Sequence, residues 1–332
     1  MPTKRNYGGE QQNYVPKGNE AGGQWGDDET GSNVNWKNPN AKESKLTKGV
    51  KKGLGESVGV QVEPTQKEGV NDIGKTIEGS KLDKKTKNAF KNAWDSGNET
   101  SRKIIDAIPK KVDVEFKKYG DSFFNGTLRS ASISEGIFEY EGWVDKQEVM
   151  FHELGHAVDM LYCEGYQTTT QHIRGLEDFE AFGRKTLSYS YKTSTGKTLN
   201  ETLIEELNKE KRKQIVEDYK NELSYRGIHD MREVNAKYAD LSDMCEACGG
   251  GKKEYGYAFS GYCHGSAYWK QSSDKRAKEF FAEAFSSKSS SNKERYELIK
   301  KYLPNTCKAF DEIYEVLSKA NGKYVLGENK ND

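Results

Sequence analysis

Apolar residues recur at a helical or strand period only from about residue 80 onward. Leu82, Phe90, Ala93 and Trp94 outline one face of an amphipathic helix, and Ser101 to Ala107 form a second helical segment closed by Pro109. Val112 to Phe116 alternates as a half-buried strand does, and Ile137 to Trp143 reads as a further strand entered through the turn residues Ser134, Glu135 and Gly136. Glu148 to Tyr162 returns to the helical period. Thr202 to Tyr219 predicts an exposed helix with Leu203, Leu207 and Ile215 on one side, and the glycines at 249–251 mark a loop. Lys275 to Phe285 is helical again. Lys293 to Tyr302 and Thr306 to Ala320 predict two more helices, separated by Pro304. Helices, a few strands and then mainly helices indicate an α+β fold.

Residues 1–77 show neither period. Gly8, Gly9, Gly22, Gly23, Gly53, Gly55 and Gly59 punctuate a polar stretch with few aliphatic residues. Such a stretch cannot bury enough apolar surface to offset its chain entropy, so it is expected to be disordered. The expected organisation is a flexible segment 1–77, a folded domain 78–322 with a charged helical insertion at about 164–274, and a disordered tail 323–332.

Composition supports a domain smaller than the chain. Of 332 residues, 33% are hydrophobic and 31% charged, with a mean hydropathy of -0.96. The 52 basic residues balance the 52 acidic ones, so no net charge steers the protein onto nucleic acid or a membrane. The lysine-rich runs at 45–52 and 209–213 read as solvated faces. There is no apolar stretch of membrane-spanning length and no secretory signal at the amino terminus. The five cysteines, an odd number, fit a reducing compartment. A cytoplasmic or virion-associated location is therefore expected.

The candidate chemistry lies in Phe151–Asp159, where His152 and His156 stand four residues apart on one helix face with Glu153 directly after the first. This is the HExxH pattern: two imidazoles occupy two corners of a zinc site, and the glutamate, on the adjacent side, can take a proton from a water on the metal. Phe151, Leu154, Ala157, Val158 and Leu161 would bury the helix. Asp159 is placed to accept the second N–H of an imidazole. Zinc needs a third protein ligand, and no histidine follows at the spacing of three-histidine motifs. The inward acids of Glu279–Phe285, on a helix otherwise lined by Phe280, Phe281 and Phe285, supply Glu279 as the ligand and Glu283 as a group behind it. Glu177 and Glu180 are the alternative ligands.

Together, Phe151–Asp159 and Glu279–Phe285 resemble the catalytic domain of anthrax toxin lethal factor and its relatives, zinc peptidases of the gluzincin group. The resemblance continues through Pro304–Ile313 and covers about 148–163 and 275–318. It implies a zincin-like metallopeptidase domain, a small sheet plus an active-site helix followed by a mainly helical part. His152, His156 and Glu279 would bind zinc, and Glu153 would be the general base of a hydrolase acting on peptide bonds. The family's tyrosine shortly before the third ligand has no counterpart at the matching place, where Ser272 and Ser273 lie. The nearest substitute is Tyr268, and the Gly261–Trp269 stretch also looks like one in phage-encoded zincin domains. His264 and Tyr268 are thus candidates for oxyanion or substrate contacts.

Two other readings compete. Tyr14–Trp25 resembles glycine-rich cassettes of phage head-associated proteins, which would fit a zincin-fold interaction protein that binds phage structural proteins and cuts nothing. Cys245, Cys248 and Cys263, with His264, would form a second, structural zinc site, and a zinc-ribbon nucleic-acid binder would follow from it. The balanced charge offers that binder no electrostatic footprint.

Overall fold

A computed structural model describes residues 71–135, 146–172, 177–226, 231–250, 264, 266–291 and 293–327. The Tyr14–Trp25 cassette, the expected strand Ile137–Trp143 and Cys263 lie outside these residues. The described part is α+β and mostly helical. Among the described residues no helix is long and apolar enough to cross a membrane.

The described residues begin ahead of the expected boundary at 78. Helix α1 (Ile73–Gly79) buries Ile73 and Ile77. Just before it, Asn71 ties the chain down by donating to the carbonyl oxygens of Ile108 and Lys110 and accepting from the Val112 amide. Two well-spaced isoleucines and one buried amide do what a continuous apolar run does elsewhere, and the signal was too short to read as a period. Helix α2 (Lys84–Asp95) is capped by Asp83, which accepts from the Thr86 amide at 2.9 Å, and it buries Phe90 and Trp94, four residues apart. Asn98 caps α3 (Glu99–Asp106) in the same way.

A three-stranded sheet follows, ordered β1 (Asp113–Lys117), β3 (Ser130–Ser134), β2 (Phe123–Asn125). β1 and β3 are parallel, with Asp113 opposite Ser130, and β2 runs antiparallel to β3. Ser134, expected to enter a turn, instead ends the central strand. The sequence Ser-Ala-Ser-Ile-Ser lacks the β-branched alternation of a half-buried strand because Ala131, Ser132, Ile133 and Ser134 are all buried, as central strands are.

Helix α4 (Lys146–Leu161) packs on this sheet and on α11 (Lys275–Ser289). Between them lie the hairpin β4 (Tyr166–Gln171) and β5 (Phe179–Arg184), then α5 (Leu187–Ser190), α6 (Leu199–Glu206), α7 (Lys209–Arg226), α8 (Met231–Lys237), α9 (Ala239–Cys245), a wide turn at Glu246–Gly250 and α10 (Ser266–Trp269). The expected insertion is thus partly strand. β4 is held against the start of α11, since the Ser273 amide donates to Thr170 O and the His172 amide to Gln271 O.

The single helix expected over Thr202–Tyr219 is two. Leu207 ends α6, and Asn208 starts α7 by accepting from the Lys211 amide at 2.9 Å. Local capping interrupts a period that looked continuous. Leu203, Leu207 and Ile215 are fully buried, so the face is core rather than surface. Helices α12 (Glu294–Tyr302) and α13 (Pro304–Ala320) complete the fold, with Pro304 in the first turn of α13. Glu206 accepts from the Asn305 and Thr306 amides, joining the end of α6 to the start of α13. The chain stays attached past the expected end at 322: the Val325 amide donates to Tyr162 O and the Glu164 amide to Leu326 O.

Candidate metal centre

The α4–α11 contact sets the geometry of the site. Gly155 lies so close to α11 that a Cβ there would stand 3.2 Å from the Ala282 Cα and 3.3 Å from the Phe285 Cβ. This contact brings the His152–His156 face of α4 against the Glu279–Glu283 face of α11.

Three donor atoms converge there. His152 Nε2 and His156 Nε2 are 3.2 Å apart, and each lies 3.4 Å from Glu279 Oε2. Ligands placed about 2.0–2.1 Å from zinc at tetrahedral angles are roughly 3.3 Å apart, so the triangle has the size of three corners of such a site. Glu279 is 3% exposed. Its Oε2 is buried and forms no hydrogen bond among the described residues, while Oε1 accepts from the Tyr268 hydroxyl. A buried carboxylate oxygen facing imidazole nitrogens without a hydrogen bond among the described residues is a costly arrangement without a cation, and these residues fit zinc. They are the one group of three or more metal-donor side chains among the described residues. Burial raises the proton affinity of Glu279, but the His156 and His264 charges and its contacts with both ligand imidazoles outweigh it and hold the carboxyl well below its usual range.

Glu153 is nearly buried, which pushes its carboxyl up, with His152 and His156 pulling the other way. It forms no side-chain hydrogen bond among the described residues, so its carboxylate is open to a water at the centre.

The other expected residues divide. His264 and Tyr268 are brought to the centre. The imidazole of His264 stacks on the Tyr268 ring with centroids 4.4 Å apart, and its Nε2 lies 3.9 Å from Glu279 Oε2. Glu283 stands behind the ligands, its Oε2 3.8 Å from His152 Nδ1. Asp159 does not reach an imidazole. Its carboxylate accepts from the Ser188 amide and hydroxyl, each at 2.7 Å, because the start of α5 lies nearer to that face of α4 than either ring does. Burial pushes Asp159 up to about 7, with the Ser188 bonds opposing. Glu177 and Glu180 are exposed, Glu180 in β5, and do not join the donor cluster.

Other contributors carried no sequence motif. Asp243 accepts from the His264 amide and from its Nδ1, each at 2.8 Å. Burial lowers the pKa of His264, but Asp243 and Glu279 outweigh it and raise the imidazole to about 9. Arg295 is buried among Glu148, Asp240 and Glu283 and joins α4, α9, α11 and α12. The available signal was a pair of acids, Asp240 and Asp243, three apart among the apolar residues Leu241, Met244 and Cys245 of a helix whose residues are all buried. Of the cysteine cluster, Cys245 is buried and Cys248 half-buried. The Nδ1 of His264 is committed to Asp243 and its Nε2 approaches Glu279.

Comparison with protein-family models, with curated proteins and with solved structures found no match to this chain in any of the three.

Proposed function

We propose that the protein is a zinc-dependent endopeptidase with a zincin-like fold. The observation that carries this reading is the triangle of His152, His156 and the unbonded Glu279 Oε2, with the carboxylate of Glu153 open beside it. The resemblance of the same residues to the lethal factor catalytic domain supports it. Bound zinc would supply a Lewis acid at the scissile carbonyl and lower the pKa of water at the site.

The remaining work falls to the chain. Glu153 takes a proton from the attacking water and passes it to the leaving amine. Asp243 holds Nδ1 of His264, which directs Nε2 toward the centre, where it can donate to the oxygen that gains charge in the tetrahedral state. Tyr268, now donating to Glu279 Oε1, turns the same hydroxyl to that oxygen when substrate is present, and so takes the part of the family's tyrosine. Glu283 and Arg295 hold the His152 side of the site. The alternative, a phage-associated interaction protein that cuts nothing, needs no open acid at Glu153.

The test is zinc content per chain by elemental mass spectrometry, with cleavage of a peptide library, for wild type, Glu279→Ala and Glu153→Gln. About one zinc per chain is expected in wild type, lost or weakened in Glu279→Ala, and retained without turnover in Glu153→Gln. A zinc-loaded wild type that cleaves nothing, or a Glu153→Gln variant as fast as wild type, would overturn the reading.

A further inference from the structure

Lys275 begins α11 and lies one turn before Glu279, so Lys275, Glu279 and Glu283 follow one another at intervals of four along one helix face. Its ammonium stands 3.5 Å from the centroid of the Tyr268 ring, and the hydroxyl of that ring donates to Glu279. The ammonium is therefore one aromatic ring away from the metal centre, the scale of a side chain next to the reacting bond. Among the described residues Lys275 forms no ion pair, and its one hydrogen bond goes to the neutral Gln271 Oε1 at 2.7 Å. The nearest acid in sequence, Asp274, is taken by Lys278 at 2.5 Å and by the Ser272 hydroxyl at 2.6 Å.

Two further acids of this corner are committed as well. Glu279 belongs to the donor triangle, and Asp243 to His264. Burial pushes the Lys275 ammonium down to about 8, against the pull of Glu279. An ammonium has three donors, and here two of them have no acceptor among the described residues. A half-buried cation in that state gains from any carboxylate that reaches it.

We infer that Lys275 is a specificity-determining residue that takes the carboxylate of an acidic side chain beside the scissile bond, which makes acidic peptides the substrate class. This rests on the peptidase reading above. The phenyl ring beneath the ammonium keeps it at the mouth of the site, and the acidic side chain replaces solvent around it.

The test is binding, measured by calorimetry on the zinc-loaded full chain. The probes are amidated hydroxamates carrying glutamate, glutamine or lysine next to the chelating group, with the glutamine compound also made with a free carboxyl end. Wild type should bind the glutamate compound about tenfold more tightly than the amidated glutamine compound. Lys275→Met should bind the two alike at unchanged zinc content, and Lys275→Glu should prefer the lysine compound. Equal binding by wild type, or a preference that survives in Lys275→Met, overturns the inference. So does a preference shown only for the free carboxyl end, which would make the ligand a chain terminus. Discrimination without cleavage of any peptide would uphold the role of Lys275 and sink the peptidase reading alone.

Discussion

Single residues at the metal centre divide by what each touches. Among the described residues Glu153 touches no other side chain by hydrogen bond, so exchanging it for glutamine leaves the zinc donors in place. The loss should fall on turnover, by at least the 10²–10⁴-fold typical of a removed general base, and zinc analysis beside a peptide assay would show it. Asp243 acts through His264. In Asp243→Asn the new amide can still accept from the His264 backbone, but it no longer offers a carboxylate to Nδ1–H. The charge that keeps the imidazole protonated on both nitrogens, with Nε2–H free to donate at the centre, is then lost. The expected result is a kcat lowered by roughly 10–100-fold with KM and zinc content near wild type. Nitrogen NMR of the imidazole should show it losing its proton at a lower pH than in wild type. A fall in zinc content equal to the fall in rate would instead make Asp243 a structural residue.

Elements meet at this site through one close approach. Gly155 lets α4 lie against Ala282 and Phe285 of α11. A methyl group there meets atoms tighter than ordinary contact, with backbone on one side, so these neighbours must give by a few tenths of an ångström. Gly155→Ala should cost about 1–3 kcal/mol by overpacking, less the fraction regained from better helix propensity. It should also widen the His–His–Glu triangle and weaken zinc binding. Thermal unfolding and a competitive zinc titration would show the two effects. Unchanged stability with unchanged zinc affinity would mean that α11 does not constrain α4. The insertion makes a similar point at lower resolution. Its hairpin and the residues just before α11 are hydrogen-bonded through Thr170 and Ser273, so part of this segment flanks the turn just before Glu279.

At the scale of the whole molecule, stability is tied to pH through groups remote from the centre. Asp106 lies at the end of α3 and accepts from the Ile73 amide at 3.3 Å. Burial pushes its carboxyl up to about 6 from an ordinary 3.8, with the Ile73 bond pulling down. The folded state therefore binds this proton more tightly than the unfolded chain. Its contribution to stability is fully present below about 4 and is lost as pH rises toward 6. Asp106→Asn should keep the acceptor for Ile73 and flatten this part of the stability profile, with a gain at neutral pH. Denaturant midpoints at pH 4.5 and 7 would check it. A variant that loses stability equally at both would assign Asp106 a purely hydrogen-bonding role.

The sequence by itself determined the helix of His152, Glu153 and His156 and the acidic, aromatic helix of Glu279 and Glu283, because a metal-ligand spacing and a helical period are both local properties. It also determined α2, α3, β1, α12 and α13, where capping residues, alternation or a proline mark the ends. Several features needed the tertiary structure. β3 is buried on both faces and lacks the alternation that identifies a strand. The Thr202–Tyr219 period concealed a cap at Asn208. Asp159 was expected to meet an imidazole, and only the fold gave it Ser188 instead. The meeting of Glu279 with the two histidines, more than a hundred residues away, and of Asp243 with His264 depends on how α4, α9 and α11 pack. Spacing along the chain carries no record of contacts that packing alone creates.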